Sequence, residues 1–160
     1  MESLKGLRIL VVEDDHDCAE LFKFIFEDGG AMVITVEKAG EALAIQDRYK
    51  PDVLLSNLTP PDLDSYALVK LMKAYEAQRG RKLVTVALTP SVREVNRARI
   101  LGSGFHTYIP KPINIDLLQA ELENLLGLEK VSQHKGLHRI QSTTQRRSYE
   151  GRISDSAQSA

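Results

Sequence analysis

The feature that most constrains the fold of this chain is an alternation between short apolar runs and segments of helical period, which extends over the first 128 residues. Short runs rich in valine, leucine and isoleucine are typical of strands that are buried on both faces of a sheet. A helix between two such runs returns the chain to the start of a parallel neighbour. The alternation therefore predicts an α/β fold, a doubly wound five-stranded parallel sheet covered by helices on both faces.

The predicted boundaries follow the positions of glycine and proline. Pro51 precedes the third apolar run and Gly80 follows the third helical segment, as expected of residues that begin strands and end helices. We predict strands at residues 8–12, 32–36, 53–57, 83–88 and 106–109, and helices at residues 16–27, 38–48, 65–78, 91–101 and 114–126.

The chain divides into two parts of different composition. Residues 1–128 carry 15 Lys and Arg against 19 Asp and Glu, whereas residues 129–160 carry 6 against 3. This tail is polar and mildly basic, and it has few large apolar residues with which to build a core. We therefore predict one domain over residues 1–128 and a disordered tail over residues 129–160.

Composition also excludes several classes of protein. No apolar stretch approaches the ~20 residues that span a bilayer, and the N-terminus lacks the pattern of a secretory signal, so we expect a cytoplasmic protein without membrane contact. Cys18 is the sole cysteine, which excludes an internal disulfide and a cysteine-based zinc site. Nothing after residue 128 resembles a DNA-binding module, and no direct DNA binding is expected.

Polar side chains follow the carboxyl ends of four predicted strands. Glu13 and Asp14 come after the first strand, Asn57 ends the third, Thr89 follows the fourth and Lys111 follows the fifth. Ligands of doubly wound sheets gather at this edge, next to the point where strand order reverses. The sequence therefore predicts that these side chains meet in one site.

In their order and spacing, the motifs resemble those of a response-regulator receiver domain of two-component signalling. The matching stretches are residues 9–15, 51–57, 61–64, 87–89, 104–105 and 108–112, within a resemblance over about the first 127 residues. It implies a flavodoxin-like fold with strand order 2-1-3-4-5. It also implies that an aspartate at the position of Asn57 takes a phosphoryl group from a histidine kinase.

The resemblance assigns a metal site to the acidic residues. Glu13 and Asp14 match the pair that holds Mg²⁺ directly or through water, and the backbone carbonyl of Thr59 matches a third ligand. Oxygen ligands suit this hard cation. Asn57 brings no charge to the metal, so the resemblance implies that Mg²⁺ binding is possible but weakened.

Three further residues match groups that respond to phosphorylation. Thr89 matches the hydroxyl that closes on the phosphoryl group, Lys111 matches the ammonium that neutralises it, and Tyr108 matches the aromatic residue whose rotamer reports the switched state. The bond between Lys111 and Pro112 matches a peptide bond that is usually cis in this family.

Several positions depart from the family pattern. The amide nitrogen of Asn57 cannot attack phosphorus as a carboxylate does, and we expect the amide to accept a hydrogen bond from Lys111. Pro90 replaces a small residue whose backbone N–H helps to hold a phosphoryl oxygen, and proline has no N–H. Pro60 and Ser65 stand where the family usually has methionine and glycine, and Ser65 is interpreted as the N-cap of the third helix.

These departures favour a naturally degenerate receiver that is not an enzyme and acts by protein–protein interaction. The expected partner is a sensor histidine kinase, another response regulator or an output protein. It would dock on the surface of the fourth helix, fifth strand and fifth helix, a surface that also suits dimerisation.

Two other functions stay open. The first is an ordinary phosphorylation-dependent receiver, in which Asn57 is an engineered change or another residue, such as Asp15 or Ser56, accepts the phosphoryl group. An engineered Asn57 would not explain Pro90. The second and more remote is an aspartate-nucleophile phosphohydrolase, whose usual Asp-x-Asp motif is absent after the first strand.

Overall fold

A computed structural model describes residues 4–58, 63–90 and 97–127 of the chain. Five parallel strands form one sheet in the order β2-β1-β3-β4-β5, which confirms the predicted order. The strands are β1 (Arg8–Val12), β2 (Met32–Val36), β3 (Val53–Asn57), β4 (Val84–Thr89) and β5 (Thr107–Pro110). The helices are α1 (His16–Asp28), α2 (Ala39–Tyr49), α3 (Leu63–Gln78), α4 (Arg97–Gly102) and α5 (Ile115–Leu126).

β4 begins one residue later than predicted, at Val84, which pairs with the first residue of β3. β5 also begins one residue later than predicted, because of a histidine side chain. The ring Nδ1 of His106 accepts the backbone N–H of Thr85 at 3.0 Å. The imidazole thus takes a donor that a β5 carbonyl would otherwise accept, and the pairing of β4 with β5 begins at Val86 and Thr107. β4 also extends to Thr89, which pairs with Pro110.

The helix boundaries agree with prediction to within two residues where the structure describes them. Asp15 is the N-cap of α1, and its carboxylate accepts the backbone N–H of Cys18 at 3.1 Å. α3 begins at Leu63, two residues before its predicted start. Residues 91–96 of the predicted fourth helix and the predicted tail lie outside the described residues. None of the helices within residues 4–58, 63–90 and 97–127 is long and apolar enough to cross a bilayer.

The core has one layer on each face of the sheet. Alternate strand residues point to opposite faces, so Val11, Leu55 and Val86 pack against α1 and α5, whereas Leu10 and Leu54 pack toward α2 and α3. The helices contribute Phe22, Phe26, Leu118 and Leu122 to the first layer and Ala42, Leu68 and Met72 to the second. Burial of these side chains fixes the sheet and thereby the relative positions of the strand ends.

A buried polar network joins α2 to α3. It lies at one edge of the sheet, and the strand ends that carry the site lie at the opposite edge. Glu76 is 1% exposed and pairs with the guanidinium of Arg81 at 2.7 Å. The amide of Gln46 donates to Glu76 and to the backbone carbonyl of Met72, each at 3.0 Å. Arg81 also donates to the carbonyl of Pro51, just before β3. These bonds compensate the burial of a charged carboxylate.

Candidate functional site

The predicted site residues meet at the carboxyl edge of the sheet. β1 lies between β2 and β3, and β3 lies beside β4. Glu13 and Asp14 follow β1, Asn57 ends β3, Thr89 ends β4 and Lys111 follows β5. The parallel register therefore brings side chains together that are up to 98 positions apart in the sequence.

An ion pair between Glu13 and Lys111 closes one side of the site. The ammonium of Lys111 lies 3.0 Å from Oε1 of Glu13, whose side chain is inaccessible to solvent. The second carboxylate oxygen of Glu13 accepts the backbone N–H of Asp15 at 3.0 Å. Both oxygens of this buried carboxylate are therefore engaged.

The backbone of Lys111 is held at the end of β4. Its N–H donates to the carbonyl of Thr89 at 2.7 Å, and the bond from Lys111 to Pro112 is cis, as the resemblance predicted. The expected hydrogen bond from Lys111 to the amide of Asn57 was wrong. The charged carboxylate of Glu13 is a stronger acceptor than a neutral amide oxygen, so it takes the ammonium.

Asn57 acts as a donor toward the acidic pair. Its side-chain nitrogen donates to Oδ1 of Asp14 at 3.4 Å, a long contact between a half-buried amide and an exposed carboxylate. A second carboxylate at this distance would repel Asp14 instead. The amide of Asn57 therefore attracts Asp14 weakly, whereas an aspartate at the same position would repel it.

Two serines hold the backbone behind Asn57. The hydroxyl of Ser65 donates to the carbonyl of Asn57 at 3.2 Å and lies 3.3 Å from the hydroxyl of Ser56. Both serines are buried. The interpretation of Ser65 as an N-cap was wrong, because it is the third residue of α3 and its hydroxyl points at β3. Its two contacts cross between elements, and helix-start patterns in the sequence do not signal such contacts.

Thr89 and Tyr108 lie at the ends of the adjacent strands β4 and β5. Thr89 is fully buried, and Pro90 follows it in an exposed position. Tyr108 is 4% exposed and packs in a cluster with Ile100 and Phe105. This burial raises the pKa of its hydroxyl. The aromatic ring of Tyr108 is therefore in a buried position.

We propose that the residues present bind magnesium only weakly. Glu13 already holds Lys111, and Asp14 already accepts from Asn57. Across the described residues there is no group of three or more acidic, histidine or cysteine side chains that would surround a metal ion. Thr59, the predicted carbonyl ligand, and Pro60 lie outside the described residues. A tight Mg²⁺ site does not fit this donor set, since the cation would have to compete with Lys111.

A cavity of about 710 Å³ opens beside the site, between β3 and the start of α2. Its lining includes Asp14, Glu37, Glu41 and Asp64, against the single positive charge of Lys38. The carboxylate of Glu41 is occupied by the backbone N–H groups of Glu37 and Lys38. This negative lining opposes the approach of a phosphate anion unless a divalent cation is bound.

The chain matches known proteins over most of the described residues. The response regulator receiver domain family matches residues 9–123. An uncharacterized 14.6 kDa protein in the sodA1 3′ region of Leptolyngbya boryana is 38% identical over 114 residues, which are 71% of this chain and 86% of that protein. Hybrid signal transduction histidine kinase D of Dictyostelium discoideum is 30% identical over 117 residues, which are 69% of this chain but 8% of the kinase.

A solved structure shares the fold. It is the co-crystal structure of the Saccharomyces cerevisiae histidine phosphotransfer protein Ypd1 with the receiver domain of its response regulator Ssk1. The superposition has a TM-score of 0.66 at 21% identity and covers 75% of this chain and 88% of that chain. At this identity the likeness shows the flavodoxin-like receiver fold alone.

Proposed function

The chain belongs to the response regulator receiver domain family, and from this premise we propose that it is a degenerate receiver of two-component signalling. It works by binding other proteins and accepts no phosphoryl group at position 57. The observation that carries this proposal is Asn57, at the end of β3, with its amide donating to Asp14. An amide nitrogen has no available lone pair, so no acyl phosphate forms there.

The contacts around Asn57 support a site whose cation is already engaged. Lys111, the cation that would neutralise a phosphoryl group, pairs with the buried Glu13. A phosphoryl group would have to break this pair and leave a buried carboxylate without its cation, which costs about 1–3 kcal/mol. Pro90 offers no N–H to offset that cost.

The two alternative acceptors are poorly placed. Ser56 is fully buried and its hydroxyl contacts Ser65, so a phosphodonor cannot reach it without opening the core. Asp15 is exposed, but its carboxylate caps α1. The hydrogen bond from Cys18 lowers the pKa of Asp15 by favouring the charged form, and phosphorylation would remove this cap.

Partners are proposed from family membership. A sensor histidine kinase, another response regulator or an output protein would dock on the surface formed by α4, β5 and α5, and the interaction would take place in the cytoplasm. The Ssk1 receiver is crystallised with the phosphotransfer protein Ypd1, so a receiver of this fold does bind a protein of a phosphorelay. We propose the same class of partner for this chain.

Intact-protein mass spectrometry tests the absence of a phosphoryl acceptor. The full chain is incubated with Mg²⁺ and acetyl phosphate, and any adduct is treated with hydroxylamine, which cleaves acyl phosphates. The proposal predicts no added phosphoryl mass on the chain. A receiver with an intact aspartate, incubated in parallel, shows that the donor is competent. A hydroxylamine-sensitive adduct would overturn the proposal and restore the ordinary phosphorylation-dependent receiver.

A further inference from the structure

The outer face of α1 carries two large apolar side chains that take no part in the site. Leu21 is 52% exposed and Phe24 is 70% exposed. They are three residues apart on a helix, so they are neighbours on one face. Adjacent exposed apolar residues of this size favour a covering partner.

The surroundings of this pair define the charge of that partner. Asp17, Glu20, Glu27 and Asp28 are exposed on the same stripe of α1, and Lys23 lies 3.5 Å from Glu27. Counting His16 as neutral, α1 carries four carboxylates and one lysine. A partner must therefore be apolar and basic. A second copy that used the same face would bring like charges together, which disfavours association.

The chain itself supplies a segment with this chemistry. Leu137 and Ile140 are also three residues apart, Lys135 precedes them and Arg139 lies between them. Residues 129–160 carry 6 Lys and Arg against 3 Asp and Glu. The segment thus repeats the apolar spacing of the α1 face and carries the opposite charge.

The segment is also tethered close to α1. It follows Gly127, the C-cap of α5, and α5 packs in the same core layer as α1. The 13 residues from 128 to 140 span up to about 40 Å when extended, about twice the ~20 Å length of α1. A short tether gives an effective concentration on the order of millimolar, which favours this segment over a free competitor.

We propose that residues 135–140 dock on the outer face of α1 of the same chain. Leu137 and Ile140 cover Leu21 and Phe24, while Lys135 and Arg139 face the carboxylates around them. This inference concerns a different surface from the site at Asn57 and does not depend on the proposed function.

Photo-crosslinking of the full chain tests this docking. Phe24 is replaced by p-benzoylphenylalanine, which keeps an aromatic side chain at an exposed position, and the irradiated products are mapped by mass spectrometry. The expected product is a monomer crosslinked within residues 130–145. A covalent dimer, a crosslink only to other segments, or no crosslink would overturn the proposal. The same replacement at Leu71, which is 55% exposed on α3, is the matched control and should give no such product.

Charge reversal separates specific docking from chance proximity. Lys135→Glu with Arg139→Glu should lower the crosslinked fraction by about five- to ten-fold, because each exposed ion pair contributes modestly and reversal turns attraction into repulsion. Glu20→Lys with Glu27→Lys in the same chain should recover most of it. An unchanged yield in the first variant would overturn the assignment of residues 135–140 as the docked segment.

Discussion

At the residue scale, the chemistry of the site depends on which atom each side chain offers to its neighbour. Asn57 offers an amide donor to Asp14, and Lys111 gives its charge to Glu13. The sequence predicted that these residues would meet, because the ends of parallel strands share one edge. It did not predict which partner Lys111 would take, since that depends on the burial of Glu13, which residue spacing does not report.

The first prediction concerns two groups that the site lacks, a nucleophile at position 57 and a backbone N–H at position 90. Asn57→Asp restores the nucleophile but leaves Pro90 without an N–H, so phosphorylation by acetyl phosphate should stay slow. Asn57→Asp with Pro90→Ala should be faster by about a hundred-fold, the usual effect of one donor to a developing oxyanion. Mass spectrometry over time measures both rates. Pro90→Ala alone is the control and should give no adduct, whereas full recovery in Asn57→Asp alone would contradict this role of Pro90.

The second prediction concerns the ion pair. Lys111→Met leaves the buried carboxylate of Glu13 without its cation and should lower the free energy of unfolding by about 1–3 kcal/mol. Urea denaturation measures this change. Adding Glu13→Gln should recover much of the loss, because no buried charge then remains. Lys38→Met, at an exposed position on the adjacent cavity, is the control with little expected effect, and an equal loss there would count against the pair.

At the element scale, the network between α2 and α3 holds two helices together through one buried charge. Arg81→Ala removes the cation beside Glu76 and should destabilise the fold by about 2–3 kcal/mol, less than for a fully buried pair because the Arg81 side chain is 30% exposed. Lys70→Ala, on an exposed position of α3, should change stability by less than about 0.5 kcal/mol. If urea denaturation shows that Arg81→Ala and Lys70→Ala lose similar amounts of unfolding free energy, the network has no special role in stability.

His106 at the start of β5 makes stability depend on pH. Burial lowers its pKa to about 4 from the usual 6.5. Between these two pH values the unfolded chain binds a proton at His106 that the folded chain does not bind. The contribution of neutral His106 to stability is therefore complete above pH 6.5 and is lost as the pH falls. Between pH 7.5 and pH 5 the free energy of unfolding should fall by about 1 kcal/mol from this group, because solvent screens part of the effect at a partly exposed ring.

Replacement of the imidazole checks that assignment. His106→Asn keeps an acceptor for the N–H of Thr85 but cannot titrate, so the fall measured by urea denaturation at the two pH values should largely disappear. His16→Asn, at the exposed start of α1, should leave the fall unchanged. If His106→Asn keeps the full pH dependence, other groups are responsible.

The same elements show what sequence patterns report. β1, β2 and β3 were predicted to the residue because an apolar run forms most of each strand. The starts of β4 and β5 were each predicted one residue early. β4 begins at Val84, which pairs with the first residue of β3, and at the start of β5 the ring of His106 takes a ladder donor. Ser65 was misplaced because its hydroxyl bonds to β3 instead of to its own helix. Such side-chain contacts between distant elements leave no periodic signal.

At the scale of the whole molecule, the family fold and its strand order follow from the alternation and the motifs together. The docking surface of α4, β5 and α5, its use in dimerisation and the absence of direct DNA binding stay predictions. The proposed docking of residues 135–140 would add a contact outside the family-matched residues 9–123. We propose that this receiver fold accepts no phosphoryl group at position 57, where Lys111 already pairs with Glu13 and Asp14 accepts from Asn57.

That claim is tested most directly by NMR of the full chain under conditions that mimic phosphorylation. Backbone amide signals are recorded in the presence of Mg²⁺, before and after addition of beryllofluoride, a phosphoryl analogue that binds an aspartate carboxylate. The account predicts no shift of the signals of Asn57, Thr89 and Lys111. The variant Asn57→Asp with Pro90→Ala should shift all three. Shifts of this kind in the unmodified chain would contradict the account.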